Sequence, residues 1–186
     1  MGLGGVAIAV PPYVIYPKTA VLGRAGGGEE LLCRFFVKNG VKLGKNVHIY
    51  SNILASEPYL IDIGDNVTIS HAVDFITHDN SVSKFIGKDY DLYGKIVIGN
   101  NCFIGAHSVL LYGINIADNV IVAAGSVVTK SISDNFVIVG GNPARVIGTW
   151  NEFNKKVSDN AINITGCSRL EKYNKVIRNK EKWIVR

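Results

Sequence analysis

Hydrophobic positions along this chain follow a beat of six. From Ile98 an aliphatic residue returns at Ile104, Leu110, Ile116, Val122 and Val128. Four residues after each comes a small or aliphatic one: Cys102, Ser108, Ile114, Val120, Ser126 and Ile132. An earlier block repeats the beat through Leu43, Ile49 and Ala55, then Ile63, Ile69 and Phe75, with two extra residues near 56–59. Neither the helical period nor the alternation of a plain strand explains such a repeat. It predicts short strands joined by sharp corners, with the first and fifth positions of each hexapeptide turned inward. The corners carry Gly64-Asp65-Asn66, Gly99-Asn100-Asn101 and Ala117-Asp118-Asn119, residue types that accept left-handed backbone at least cost. Three hexapeptides close one triangular coil, and stacked coils bury a continuous aliphatic column. A sandwich of ordinary strands would instead space its turns by about 8–12 residues. The predicted fold class is an all-β solenoid, a parallel β-helix of hexapeptide repeats.

The beat stops at a long protruding loop, 79–95, which holds Ser81, Ser83, Lys84, Lys88, Asp89, Tyr90 and Tyr93 and no inward column. A loop of that length on a regular scaffold is usually functional. After Ser133 the pattern breaks again, and Gly140-Gly141-Asn142-Pro143 makes a tight turn out of the coils. Further on, Ser168-Arg169-Leu170-Glu171 has the form of a capping box, and Leu170, Tyr173, Val176, Ile177 and Ile184 fall near one helical face. This predicts a C-terminal helix that packs through its apolar stripe. The expected organisation is an N-terminal arm or irregular first coil over 1–40, the β-helix over 41–147, and an extension with a helix over 148–186.

Composition sharpens the picture. A chain of 186 residues, 47% apolar and 19% charged, is one globular domain with room for a short appendage, not a disordered chain. Cys33, Cys102 and Cys167 are odd in number and far apart, which speaks against a disulfide framework or zinc knuckle and for a reducing cytoplasm. The apolar start, 2–16, is too short for a membrane span, is interrupted by Pro11-Pro12 and lacks a basic leader. It reads as structured protein or a packing arm. Net charge is +5, yet residues 1–150 carry eleven charges of each sign, while 151–186 carry nine Lys/Arg against four Asp/Glu. The body therefore offers no nucleic-acid surface. The basic tail suits weak contact with anionic lipids or lipid-linked substrates, or a simple solvated face.

A stack of coils has no cleft of its own, so chemistry must come from residues that leave the pattern. Of the four histidines, His48, His71, His78 and His107, the first two stand at non-inward positions of regular hexapeptides. His78, in Ile76-Thr77-His78-Asp79-Asn80, stands where the long loop departs. The γ-type carbonic anhydrases use the same fold and bind metal through three histidines, two of them five residues apart, whereas His71, His78 and His107 are separated by seven and twenty-nine residues, which argues against zinc. No metal is expected.

The motifs Gly64-Asp65-Asn66-Val67-Thr68-Ile69-Ser70, Thr77-His78-Asp79, Ile98-Gly99-Asn100-Asn101, Val128-Thr129-Lys130 and Gly141-Asn142-Pro143-Ala144-Arg145-Val146-Ile147 occur in this order. Together they resemble the hexapeptide-repeat acyltransferases, and among them the sugar and polysaccharide O-acetyltransferases, such as the galactoside, maltose and capsular enzymes. The resemblance covers roughly 43–147 and implies the left-handed form of the β-helix, an acetyl-CoA co-substrate, a sugar or glycan acceptor, and a homotrimer with active sites between subunits. It implies that His78 is the general base that takes the proton of an acceptor hydroxyl, a task suited to imidazole near neutral pH. Glu57 matches the acidic residue beside the acceptor, where a carboxylate can bind sugar hydroxyls or hold the histidine tautomer. The other reading of Glu57 is a solvent-exposed residue at the turn before Pro58. Asp79 and Asn80 are further candidates for the acceptor.

By the same resemblance, the backbone N–H of Ala106 meets the oxyanion and Ala124 contacts the pantetheine arm. Thr129 and Lys130 border the CoA nucleotide, and Arg145 meets its 3′-phosphate, as a guanidinium fork can. There are departures. Gly148 stands where some relatives have a second Arg, which moves the clamp toward Lys155 or Lys156. The N-terminal helical region of the maltose and galactoside enzymes is not evident, which argues against simple disaccharide acceptors. Two other readings remain open: an N-acetyltransferase of an amino or nucleotide sugar, and a non-enzymatic β-helix scaffold.

Overall fold

The computed structural model describes residues 28–185. The hexapeptides fold as strands of two to four residues that visit three parallel sheets in rotation. The first sheet stacks Lys42–Leu43, Ile61–Ile63, Ile96–Ile98 and Ile114–Ile116. The second stacks His48–Ile49, Thr68–Ile69, Phe103–Ile104, Ile121–Val122 and Val137–Gly140. The third stacks Asp74–Phe75, Val109–Leu110 and Val127–Val128. A further bridge, Ile116 to Ile132, carries the first sheet one rung on. The strand Arg145–Thr149 then turns back antiparallel on Val137–Gly140 and closes that edge of the second sheet.

The inward column is what the six-residue beat requires. Ile49, Ile69, Ile104, Val122 and Val139 stack behind the second sheet, each no more than 2% exposed. Burying one such side chain is worth about 1.5–3 kcal/mol, so the stack supplies much of the driving force. Fifth positions point inward as well: Val67, Cys102 and Val120 at one corner, Val73, Ser108 and Ser126 at the next. The two inward serines are satisfied, since both hydroxyls donate to the Ala123 carbonyl, at 3.1 Å and 2.6 Å. Burial pushes the Cys102 thiol pKa up, and its Sγ donates to the carbonyl of Ala117 at 3.2 Å.

Between the first and second sheets every coil turns the same way. Asn46, Asn66, Asn101 and Asn119 hold φ between 53° and 58°, left-handed backbone that Asn tolerates better than most residues. The corners are stitched along the stack. Asp65 Oδ1 accepts from the Lys45 N–H, Asn100 Oδ1 from the Asp65 N–H, and Asp118 Oδ1 from the Asn100 N–H, all within 2.8 Å. Beside them the Nδ2 groups of Asn46 and Asn101 donate to Asn66 Oδ1 and Asn119 Oδ1. A Cβ on Gly99 would lie 2.8 Å from the backbone of Ala117 and Asp118, so glycine is what lets successive coils close up there. These pairs also measure the coils: Asn100 to Asp118 is 18 residues, Asn46 to Asn66 is 20, and Asp65 to Asn100 is 35. Two coils therefore contain excursions, and both return in register.

Three expectations need correction outside the coils. Within 1–40, where an arm or irregular coil was expected, Gly28–Lys38 forms helix α1. Its Phe36 is 1% exposed, and the helix packs on the strands Lys42–Leu43 and His48–Ile49 as a lid on the first coil. The helix ends where Asn39 Nδ2 donates to the Phe35 carbonyl and Gly40 turns at φ 106°, a typical C-terminal stop. The apolar stretch 2–16 lies outside the described residues. In the extension there are two helices rather than one, α2 (Trp150–Val157) and α3 (Arg169–Arg178), each opened by a full capping box, Thr149/Glu152 and Ser168/Glu171. The third correction concerns the stripe of α3, which was expected to pack. No residue of that helix is buried.

Candidate active site

Both excursions leave the stack at one corner, between the third sheet and the first. After Asp74–Phe75 the chain does not turn into the next coil. It runs out as His78–Asp79, returns antiparallel as Leu92–Tyr93, and re-enters at Ile96–Ile98. The neck of this hairpin is closed by the Gly94 N–H to the Thr77 carbonyl, at 3.1 Å. One coil earlier, the two-residue excursion forms a 3-10 turn, Pro58–Leu60, with Glu57 at its N-cap. Stacking the two coils brings the excursions together.

The contact between them is polar and tight. Glu57 Oε2 accepts from the Thr77 hydroxyl at 2.7 Å and lies 2.9 Å from His78 Nδ1. The Glu57 side chain is 14% exposed and that of His78 is 37%. The solvent-exposed reading of Glu57 therefore does not hold: its carboxylate is pinned by the Thr77 hydroxyl, itself on a residue only 1% exposed. A proton on Nδ1, donated to the carboxylate, leaves Nε2 as the basic nitrogen of the ring. Sequence reasoning missed Thr77, whose signal was its place directly before the histidine at a coil end.

The rest of the hairpin is internally locked. Asp79 accepts from the Ser81 N–H at 2.7 Å and from the Tyr112 hydroxyl, in the next coil, at 3.1 Å. The Ser81 backbone and side chain, more than any charge, hold the Asp79 carboxyl below the usual carboxylate range. Asn80 Nδ2 donates to Asp91, and Asn80 Oδ1 accepts from the Ser83 hydroxyl. Asp91 also accepts from the Tyr93 hydroxyl at 3.2 Å, which raises the tyrosine pKa. The polar atoms of Asp79 and Asn80 are thus spent on holding the loop. Tyr93, whose ring centre stands 6.0 Å from that of His78, faces outward beside the histidine, 57% exposed.

The remaining candidates fall on two other places. Ala106 and Ala124 lie in successive coils at the corner between the second and third sheets, linked by the Gly125 N–H to the Ala106 carbonyl at 2.8 Å. At that corner the ring of His71 meets His107 edge-on, with centroids 5.8 Å apart. Within one chain, then, Ala106 and His78 are on different edges of the coil stack, and so are the histidines His71 and His107 relative to His78. Among the described residues no three His, Cys, Asp or Glu side chains gather as a metal site. Lys130 shares the His78 edge two rungs further along, about 10 Å at the usual strand spacing. Lys130 and Arg145 both line a recess of about 280 Å³, with Val128, Ile132, Asp134 and Ala144. Thr129 is exposed beside it, while Lys155 and Lys156 sit in the last turn of α2, outside the recess lining.

Comparison with known proteins bears on the fold and the family. Residues 95–130 match a family model described as the hexapeptide repeat of succinyl-transferase. The chain is 46% identical over 129 residues to Protein CapG of Staphylococcus aureus, covering 67% of this chain and 74% of that protein. It is 36% identical over 122 residues to a galactoside O-acetyltransferase of Escherichia coli, covering 65% of this chain and 60% of the relative. Among solved structures, a maltose O-acetyltransferase from Clostridium difficile superposes with a TM-score of 0.51 at 30% identity, covering 59% of each chain. A hexapeptide-repeat acetyltransferase of Vibrio cholerae complexed with acetyl-CoA gives a TM-score of 0.52 at 27% identity, over 59% of this chain and 60% of that one. The chain thus spans less than two thirds of the galactoside and maltose enzymes it matches.

Proposed function

Because this chain belongs to the hexapeptide-repeat acyltransferase family, we propose that it transfers the acetyl group of acetyl-CoA to a sugar hydroxyl in polysaccharide or glycoconjugate assembly. His78 Nε2 takes the proton as the acceptor oxygen attacks the thioester carbonyl. A sugar hydroxyl is far too weak an acid to ionise unaided at neutral pH, so a positioned base is needed. Glu57 holds the ring in the tautomer that leaves Nε2 basic and stabilises the imidazolium that forms. The tetrahedral intermediate places negative charge on the former carbonyl oxygen, where the Ala106 N–H donates. Collapse expels the CoA thiolate, and the imidazolium returns its proton to that sulfur.

The observation that carries this reading is the Glu57–His78 contact at 2.9 Å, built by two excursions from an otherwise uniform stack. The acetyl-CoA complex of the Vibrio cholerae relative supports the donor, and the galactoside and maltose O-acetyltransferases support the sugar acceptor. Those neighbours also support a left-handed turn for the coils. Since Ala106 and Ala124 lie on a different edge from His78, the reading includes a homotrimer in which one subunit supplies the base and its neighbour the donor wall. Lys130 and Arg145, converging on one recess, are the groups proposed for the CoA phosphates.

Incubation with acetyl-CoA and a panel of glycans, read by product mass and linkage, tests the proposal. An O-acetyl ester is expected, and an amide product would shift the acceptor to an amino sugar. His78→Ala is expected to slow transfer by about 10²–10⁴-fold with the melting temperature and CoA binding unchanged. Unaltered transfer by that variant would remove His78 from the role, and absence of CoA binding in the parent protein would leave only a scaffold.

A further inference from the structure

The strand-built body and the tail differ in what their apolar residues do. α3 and the segment after it expose Leu170, Tyr173, Ile177, Trp183, Ile184 and Val185, with Leu170 at 69% and Tyr173 at 61%. Tyr173 stands three residues after Leu170, and Val176 and Ile177 stand three and four after Tyr173, which sets them on one side of the helix. Ten residues, none of them fully buried, make a helix too short to be stable alone in water. The capping box at Ser168 helps, but a face left open at this length calls for a surface to cover it.

The charge says which surface. Arg169, Lys172, Lys175 and Arg178 on α3, then Lys180 and Lys182, face only Glu171 and Glu181 in the same stretch. Glu171 is engaged by the Ser168 N–H in the cap. The tail holds the whole net charge of the chain, while residues 1–150 are balanced. A second copy offers this tail either a neutral body or another basic tail, so it gains no charge complementarity. An anionic bilayer offers both an apolar layer for the stripe and negative headgroups for the cations. Trp183 completes the arrangement. Its indole N–H donates to the Val176 carbonyl at 3.1 Å and folds it against the last turn of α3 while the ring stays 45% exposed, the kind of amphipathic ring that settles at a lipid–water boundary. Asn160 Nδ2, bonded to the Lys182 carbonyl at 3.0 Å, ties this end of the tail back to the chain. Among the described residues no helix is long and apolar enough to cross a membrane.

We propose that the tail from Arg169 to Val185 docks reversibly on an anionic lipid surface, with the Leu170–Tyr173–Ile177 stripe in the headgroup boundary and the Lys/Arg side chains on the phosphates. This stands independently of the acetyl-transfer reading. The test uses the full chain, sedimented with vesicles of phosphatidylcholine alone or of phosphatidylcholine with phosphatidylserine, at low and high salt. Binding is expected only to the phosphatidylserine vesicles and is expected to be lost at high salt. Joint replacement Leu170→Ser, Tyr173→Ser and Ile177→Ser should abolish it, with the melting temperature unchanged because none of the three is buried. Lys172→Gln should weaken it by about fivefold, as should Lys175→Gln. The proposal is overturned if the two vesicle types bind equally, if neither binds, or if the stripe variant binds undiminished. It is equally overturned if vesicles are ignored and the stripe variant instead lowers the mass seen by light scattering, since a second copy would then be the occupant.

Discussion

Two corners of the same coils behave in opposite ways. Between the first and second sheets the turns repeat: four have an asparagine at positive φ, stitched by an acid or amide to the neighbouring rung, and the last has Phe136 in the same backbone conformation. Between the third and first sheets no two turns match: a 3-10 turn with Glu57, the hairpin with His78, then Tyr112-Gly113, then Lys130. The aliphatic column behind both corners is continuous. The repeated turns stitch the rungs together, and the edge released from repetition carries Glu57, His78 and Lys130.

Substitutions at the two edges and in the column between them separate these roles. Glu57→Gln has the largest expected effect, since an amide at Oε2 can donate to Nδ1 and force the other tautomer. Acetyl transfer should fall by about 10²–10⁴-fold with little change in thermal melting, measured on purified protein with acetyl-CoA and its acceptor. Ile104→Ala, in the column, should cost about 2–5 kcal/mol of stability, read by urea unfolding. Asn101→Ala, at the uniform corner, should cost less, about 1–2 kcal/mol for a left-handed alanine, together with the bond to Asn119 Oδ1. Asn101→Gly should recover the backbone share of that loss. Acetyl transfer per folded molecule should be untouched in both Asn101 variants. If Asn101→Ala silenced the enzyme as fully as Glu57→Gln, the division between the two corners would fail.

The coils were legible because their core admits few solutions. A six-residue beat places two inward residues per turn, and Ile104, Leu110, Val120 and Val122 are all fully enclosed as it demands. The corners were legible because Asn and Asp mark left-handed backbone, and Asn66, Asn101 and Asn119 adopt it. His78 stood out by leaving the pattern. Its contact with Glu57, 21 residues away, depends on how one excursion stacks over another, which periodicity does not encode, so the acid read equally well as exposed. Helix α1 escaped notice although Leu32 and Phe36 sit four apart ahead of the Asn39-Gly40 stop. Helix α2 carries at Thr149 and Glu152 the same cap that revealed α3 at Ser168 and Glu171. The stripe of α3 was assigned to packing because amphipathicity identifies an apolar face without naming what covers it.

The spacing of the rungs has a consequence for variation. Coils of 20 and 35 residues dock on one of 18 with no loss of register, so chain length at that margin is decoupled from the foundations beneath it. An insertion of two residues and one of seventeen are both carried there while the rungs beneath keep their spacing.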